Sequence, residues 1–307
     1  MRLVFMGTPD FAVASLDALV KAGHDVACVI TAPDKPAGRG RKLSQSAVKK
    51  YAETQNLNVL QPEKLKNPEF LQNLEALNAE LFVVVAFRML PEVVWSMPPK
   101  GTFNLHGSLL PKYRGAAPIN WAVINGENET GVTTFFLQHE IDTGDIIAQE
   151  KMRISEDDTA GSVHDNMMLI GADLVAKTVE MIESGNVSSM PQKIEGEIPH
   201  APKIFREDCR VDWQQSLNTI YNKIRGLSPY PGAWSMLDGK TFKLLKVRKQ
   251  DEKHNFDNGA CVADKHELKI ACLGGLLIVD ELQLEGKKRM KADEFLRGFD
   301  IENKKLI

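Results

Sequence analysis

In the stretch Asn104-Leu105-His106-Gly107-Ser108-Leu109-Leu110-Pro111 two hydrogen-bonding side chains stand two positions apart in a mostly apolar run that a glycine then breaks. In a β-strand successive side chains alternate faces, so Asn104 and His106 point one way while Phe103 and Leu105 point the other. Unpaired polar groups near a core cost about 1–3 kcal/mol each, so such a pair needs a purpose. A protonated imidazole beside an amide gives two donors aimed at one spot, the requirement of a developing oxyanion. A neighbouring carboxylate would hold the imidazole and accept a proton from an attacking amine. The segment Asp142-Thr143-Gly144-Asp145 supplies two candidates. Asp142 is preferred, although spacing alone leaves Asp145 open as either carboxylate or turn former. The reaction class implied is acyl transfer without a covalent intermediate, because Ser108 lacks a G-x-S-x-G setting and no other activated nucleophile is evident.

A second constellation is cationic. Lys35, Arg39, Arg41, Lys42, Lys49 and Lys50 fall within sixteen residues that hold no acidic side chain and are interrupted by Gly38 and Gly40. A charge run is usually a solvated face. This one leaves the carboxyl end of the second strand, the edge where ligands bind in open α/β sheets, so phosphate neutralisation by Arg39, Arg41 and Lys42 is expected.

The elements that must position these residues read as an α/β domain. Leu3–Met6, a turn, a helix to about Ala22 and the strand Val26–Thr31 form a βαβ unit, with Asp10 capping or charging the helix start and Gly23 ending it. Its turn has only Gly7 where a dinucleotide fingerprint needs three glycines, which argues against a nicotinamide or flavin enzyme. Leu57–Leu60, Leu81–Ala86, Thr102–His106, Val132–Leu137 and Ile146–Glu150 continue the sheet, and Leu81–Ala86, apolar on both faces, suits its centre. Helical stretches are expected over Glu69–Leu77, Ile119–Ile124 and Thr159–Ser184. The last carries Val163, Met167, Ile170, Leu174 and Val175 on one stripe. Residues from about 186 to 208 have no period and read as a surface linker. Beyond it lie a helix at Ile220–Gly226 and short strands at Ala233–Leu237, Thr241–Val247, Ala260–Ala263, Leu268–Cys272 and Leu276–Leu284, then a helix over Lys291–Gly298. That pattern suits a small OB-like barrel.

Composition narrows the classes further. A chain of 307 residues with 43% hydrophobic and 26% charged residues suits about two soluble domains, and no apolar run is long enough to span a bilayer. A cytoplasmic protein without a signal segment is expected. Cys28, Cys209, Cys261 and Cys272 are too scattered for a disulfide framework or a zinc site, so reduced, buried thiols and no metal are expected. Residues 1–202 carry 18 Lys+Arg against 25 Asp+Glu, whereas residues 203–307 carry 20 against 16, so the basic part of the chain is its last third. That division hints at an anionic partner.

Taken together, Gly7-Thr8-Pro9-Asp10-Phe11, Pro36-Ala37-Gly38-Arg39-Gly40, Asn104 to Pro111 with Arg114-Gly115-Ala116-Ala117-Pro118, Thr130-Gly131-Val132-Thr133, Asp142 to Asp145, Arg225-Gly226 and Pro229-Tyr230-Pro231-Gly232-Ala233-Trp234 resemble the methionyl-tRNA formyltransferase family. The resemblance implies a Rossmann-like formyltransferase domain with a mostly parallel sheet over residues 1–188, a linker over 189–208 and an OB-like tRNA-binding domain over 209–307. It implies 10-formyltetrahydrofolate as co-substrate, initiator methionyl-tRNA as partner, no metal, no membrane and a monomer. Asn104, His106 and Asp142 would be catalytic. Arg88, Met89, Leu90, Ser108, Leu109, Leu110 and Pro111 would line the folate site, and Arg39, Arg41 and Lys42 would meet the tRNA. One departure is Ala86-Phe87-Arg88-Met89-Leu90-Pro91, a residue shorter than the family's usual aromatic-Gly-x-Ile-Leu-Pro run and with Arg88 in place of Gly. It resembles the counterpart in glycinamide ribonucleotide formyltransferases, where backbone groups hold the pterin.

Overall fold

The computed structural model describes residues 1–37, 42–194, 196–301 and 304–307. The chain divides into two compact units. The first holds residues 1–115, 130–152 and 164–200; the second holds 116–129, 153–163 and 201–307. The division is therefore not a single cut in the chain, since two short excursions from the first half pack with the C-terminal residues.

The first unit is built on a seven-stranded sheet. Its strands, from one edge to the other, are Ile146–Arg153, Glu129–Phe136, Thr102–His106, Leu81–Val85, Arg2–Gly7, Asp25–Ile30 and Val59–Leu60. The five from Thr102–His106 to Val59–Leu60 run parallel. Glu129–Phe136 pairs antiparallel with Thr102–His106, placing Thr133 opposite His106 and Phe135 opposite Asn104. Central position explains composition: every residue of Leu81–Val85 is buried, as both faces of a parallel strand require. The helix Asp10–Lys21 begins after Pro9 and carries Asp10 in its first turn, so Asp10 complements the helix dipole rather than capping with its side chain. Gly7 has a packing role, because a Cβ there would lie 2.6 Å from the Cβ of Ala12 and 3.0 Å from the Val85 carbonyl oxygen. The helix Pro68–Ala76 starts on Asn67, whose side chain accepts from the Glu69 and Phe70 amides at 2.9 and 3.4 Å.

The long helix runs Ala160–Glu183 and buries Val163, Met167, Leu174 and Val175 of the expected stripe, with Ile170 half-buried. Gly171 lets Leu105 approach, since a Cβ there would sit 2.8 Å from the Leu105 Cδ2. Leu105 thus packs on the helix side, and alternation turns Asn104 and His106 to the opposite side. Among the short strands that periodicity does not mark are Lys35–Ala37 and Lys42–Ser44, which pair antiparallel, and Arg114–Gly115 and His200–Ala201, which form a two-stranded sheet. Arg39 and Arg41, named above as tRNA contacts, lie outside the described residues between the first pair.

The second unit carries an antiparallel sheet in the order Ala233–Leu237, Lys240–Gln250, Gly275–Leu284, Leu268–Cys272, Cys261–Ala263, with Met290–Lys291 added to Gly275–Leu284. Lys240–Gln250 extends past both ends of the expected Thr241–Val247 because register shifts around Lys246 absorb the break in alternation. Its core gathers Trp213, Ile220, Tyr221, Ile224, Phe242, Leu244, Leu282 and Phe295. Within this unit Arg225, 7% exposed, donates to the Ser155 and Asp158 carbonyls at 3.3 and 2.8 Å. That contact explains why residues 153–163 belong here.

All four cysteines are buried free thiols, and burial pushes those of Cys28, Cys261 and Cys272 up to about 12, which keeps them neutral. Among the described residues no helix is long and apolar enough to cross a membrane.

The strands Glu129–Phe136 and Ile146–Arg153 meet closely at Gly131, where a Cβ would fall 2.1 Å from the Glu150 carbonyl oxygen. Backbone cannot yield as a side-chain tip does, so Gly131→Ala is expected to destabilise the fold by about 1–3 kcal/mol. A urea unfolding midpoint unchanged from that of the parent chain would contradict this.

Candidate active site

His106 ends its strand and is 6% exposed, so its ring nitrogens depend on protein groups. Nε2 lies 2.9 Å from the Tyr113 carbonyl oxygen. A carbonyl only accepts, so Nε2 carries a hydrogen and donates it, and Nδ1 is the nitrogen left for proton exchange. Nδ1 lies 3.7 Å from Asp142 Oδ2. That is ion-pair distance but too long for a hydrogen bond. The Phe135 ring stands edge-on to the imidazole, with centroids 6.4 Å apart at 86°.

Asn104 is half-buried on the same strand face, and its side-chain amide has no hydrogen-bond partner among the described residues.

Asp142, not Asp145, reaches the imidazole. Its backbone is left-handed (φ 55°), a conformation Asp tolerates better than most residues, and its carboxylate is held by the Gly115 amide at 2.9 Å. The loop folds back so tightly that a Cβ on Gly144 would lie 1.7 Å from the Phe136 carbonyl oxygen. Asp145 instead contributes its carbonyl to the Phe136 amide at 3.0 Å.

The Ser108–Pro111 segment is fixed beneath this site. Thr133 Oγ1 donates to the Ser108 carbonyl at 2.6 Å and accepts from the Leu110 amide at 3.1 Å, while Gln149 Nε2 donates to the Leu110 carbonyl and to Thr133 Oγ1 at 3.0 and 2.9 Å. Ser108 Oγ donates to the Lys112 carbonyl at 2.6 Å, a turn-closing bond that occupies its hydroxyl. The Leu110–Pro111 peptide is cis, Leu110 is buried, and Leu109 is half-buried.

Arg88 turns away from the loop it belongs to. Its guanidinium donates to the Glu63 carbonyl at 2.8 Å and to the Pro62 carbonyl, and lies over the Phe87 ring at 5.5 Å. Partial burial pulls its pKa below the ordinary arginine value. The main-chain N–H groups of Arg88, Met89 and Leu90 have no partner among the described residues. They remain available to the edge of a polar heterocycle, beside an exposed Met89 and a buried Leu90. Lys42 sits in the strand Lys42–Ser44.

Sequence reading did not find Tyr113, Thr133, Gln149 or Gln192 as parts of this site. Gln192, in the segment read as a surface linker, bonds the Asp142 and Gly144 carbonyls. Neither hydrophobic period nor motif spacing marks these residues, because Thr133, Gln149 and Gln192 bond to backbone distant in sequence and Tyr113 contributes its own carbonyl around a turn. Among the described residues no group of three His, Cys, Asp or Glu side chains is placed to hold a metal ion.

Comparison with known proteins follows the same lines. Residues 1–179 match the family described as Formyl transferase, and residues 203–300 match Formyl transferase, C-terminal domain. The chain is 54% identical over 310 residues to the methionyl-tRNA formyltransferase of Bacteroides fragilis, covering 98% of this chain and 96% of that protein. It is 55% identical to the one from Parabacteroides distasonis, over 97% of this chain and 96% of the relative. Among solved structures, the sugar 3N-formyl transferase WlaRD, crystallised in the presence of dTDP and 5-N-formyl-THF, has a TM-score of 0.67 at 21% identity, covering 94% of this chain and 99% of its own. HypX from Aquifex aeolicus in complex with tetrahydrofolic acid gives 0.67 at 22%, covering 96% of this chain and 47% of its own. The two structures share the fold.

The hydroxyl of Thr133 serves three partners at once, and its bonds to the Ser108 carbonyl and the Leu110 amide are buried. Thr133→Val is therefore expected to cost about 1–3 kcal/mol, through the Ser108 carbonyl and Leu110 amide left unpaired. A urea titration that places the variant within about 0.3 kcal/mol of the parent would show those partners to be satisfied otherwise.

Proposed function

We propose that this chain, a member of the methionyl-tRNA formyltransferase family, transfers the formyl group of 10-formyltetrahydrofolate to the α-amino group of methionine on initiator tRNA, ahead of translation initiation in the cytoplasm. The observation that carries the chemistry is the combination on one strand face of a partnerless Asn104 amide and a His106 whose Nδ1 faces Asp142. The acceptor is argued from likeness. Relatives of that name reach 50–55% identity over nearly the whole chain, whereas a sugar formyltransferase of the same fold stands at 21%. The folate fits the free main-chain donors of Arg88 to Leu90 and the apolar surface of Met89 and Leu90, and Ser108 to Pro111 would close the site beside them. Arg88 itself is engaged by the Pro62 and Glu63 carbonyls, so recognition there would fall to the backbone.

The reaction replaces one amide C–N bond by another. The amine nitrogen bonds to the formyl carbon, the bond from that carbon to N10 breaks, one proton leaves the amine and one reaches N10. Between these events the formyl oxygen carries negative charge. Asn104 Nδ2–H and a protonated His106 Nδ1 would donate to that oxygen, and neither has a short hydrogen bond among the described residues. Tyr113 keeps the other imidazole nitrogen as a donor, so a transferable proton can reside only on Nδ1. Asp142 stabilises the imidazolium and stands where it can take the amine proton, directly or through one water. Arg39 and Arg41, between the paired strands Lys35–Ala37 and Lys42–Ser44 in the sequence, and Lys42, which opens the second of them, would neutralise phosphates of the acceptor stem. The OB-like domain would hold the stem's backbone with its excess of basic residues.

Incubation with 10-formyltetrahydrofolate and methionine-charged tRNAs tests the reading, with formylation expected of the initiator and not of the elongator. Asn104→Ala and His106→Ala are each expected to lower the single-turnover rate about 10²–10³-fold at saturating tRNA. Near parental rates for both would overturn the assignment. Arg39→Ala is expected to raise the KM for tRNA while leaving folate binding unchanged, and an equal fall in both would make that segment structural.

A further inference from the structure

We infer that Gln192 is a positioning residue that holds Asp142 against His106, with Arg114 setting the orientation of its carboxamide. The inference rests on the catalytic reading of Asp142 given above. Gln192 Nε2 donates to the Asp142 and Gly144 carbonyls, both at 2.9 Å, while Oε1 accepts from Arg114 Nε and Nη2 at 3.1 and 2.6 Å. The carboxamide thereby uses both donors and both lone pairs. Arginine has no acceptor, so the network itself decides which end is oxygen and which nitrogen.

The Asp142–Gly144 turn needs such a partner. Asp142 is left-handed and Gly144 passes close to the Phe136 carbonyl, and the Asp142 and Gly144 carbonyls of this turn are met by the Gln192 side chain. Gln192 is half-buried while its neighbours Pro191 and Lys193 are exposed, so it turns inward between them. Two residues earlier, Met190 exchanges backbone bonds with Ile146 at 2.8 and 2.9 Å, which registers the segment on the edge strand and fixes where Gln192 arrives.

Arg114 and Gly115 then close a ring of contacts. The Gly115 amide holds the Asp142 carboxylate at 2.9 Å, and the Arg114 side chain, through Gln192, holds the Asp142 carbonyl. Backbone and carboxylate of Asp142 are thus referred to one dipeptide. Among the described residues no hydrogen bond or ion pair joins Gln192 or Arg114 to His106, so in this reading both act through Asp142.

The test compares Gln192→Ala, Gln192→Glu, Asp142→Asn and the double variant Asp142→Asn/Gln192→Ala in the full chain, by single-turnover formylation of initiator tRNA. Displacement of a reacting group by an ångström costs up to about 100-fold, so Gln192→Ala is expected to lose about 10–100-fold in rate with KM values for both substrates within about threefold. Gln192→Glu keeps volume and the Arg114 contact but offers the carbonyls no donor, so it is expected to lose at least as much. In the Asp142→Asn background, Gln192→Ala is expected to change the rate less than about twofold. A parental rate for Gln192→Glu would overturn the proposal, because its role would then end at Arg114. Fully multiplicative losses in the double variant would also overturn it. If Asp142→Asn alone keeps the parental rate, the catalytic reading of Asp142 fails first, which separates that failure from failure of the positioning role. Should Gln192→Ala not fold, Gln192→Glu carries the comparison.

Discussion

A buried imidazole cannot leave its nitrogens to water, and that constraint on His106 organises the site. One nitrogen is met by a carbonyl only seven residues away, at Tyr113, once the chain has turned at Ser108–Pro111. The bond costs the ring one of its two possible tautomers and places all further proton traffic on Nδ1. Asp142 Oδ2 stands 3.7 Å from Nδ1, within ion-pair distance and beyond hydrogen-bond length. A buried ion pair is weak evidence for stability, because desolvation offsets attraction. Its value here lies in position.

Position is supplied from three parts of the chain. Residues 102–115 bring the strand end, the Tyr113 carbonyl and the Gly115 amide, residues 130–149 bring Thr133, Gln149 and the Asp142 turn, and residues 190–192 bring the clamp on that turn. All lie in the first compact unit. The parallel sheet gives them a rigid base, since the carboxyl end of a central strand buried on both faces has little freedom to shift. The antiparallel turn beyond it is less regular and is held by a close glycine contact and side-chain bonds instead.

The second unit follows another logic. Its sheet encloses a core of its own, and the long strands Lys240–Gln250 and Gly275–Leu284 tie most of it together. Arg225 gathers the Ser155 and Asp158 carbonyls to the same unit, so a segment that precedes the long helix of the first unit is claimed by the second. A boundary drawn by composition misses such an excursion, because charge and turn signals near 153–163 do not record which core its carbonyls will face.

Much of the fold was legible in the amino-acid order. Apolar runs, the single stripe of the Ala160–Glu183 helix and the strand alternation that sets Asn104 beside His106 all follow from backbone periodicity, which is local. Motif order pointed to the family for a related reason, since each motif is a short stretch that folds the same way wherever it occurs. Tertiary structure alone decided the rest. It chose Asp142 over Asp145, set the tautomer of His106, turned Arg88 toward Pro62 and Glu63, and drew Gln192 out of an apparent linker. Each of those outcomes depends on one side chain meeting backbone or side chain far away or around a tight turn, at separations from 7 to 50 residues. Periodicity carries no information about such meetings; only the packed chain, with its glycine contacts and its demand that buried polar groups be paired, fixes them.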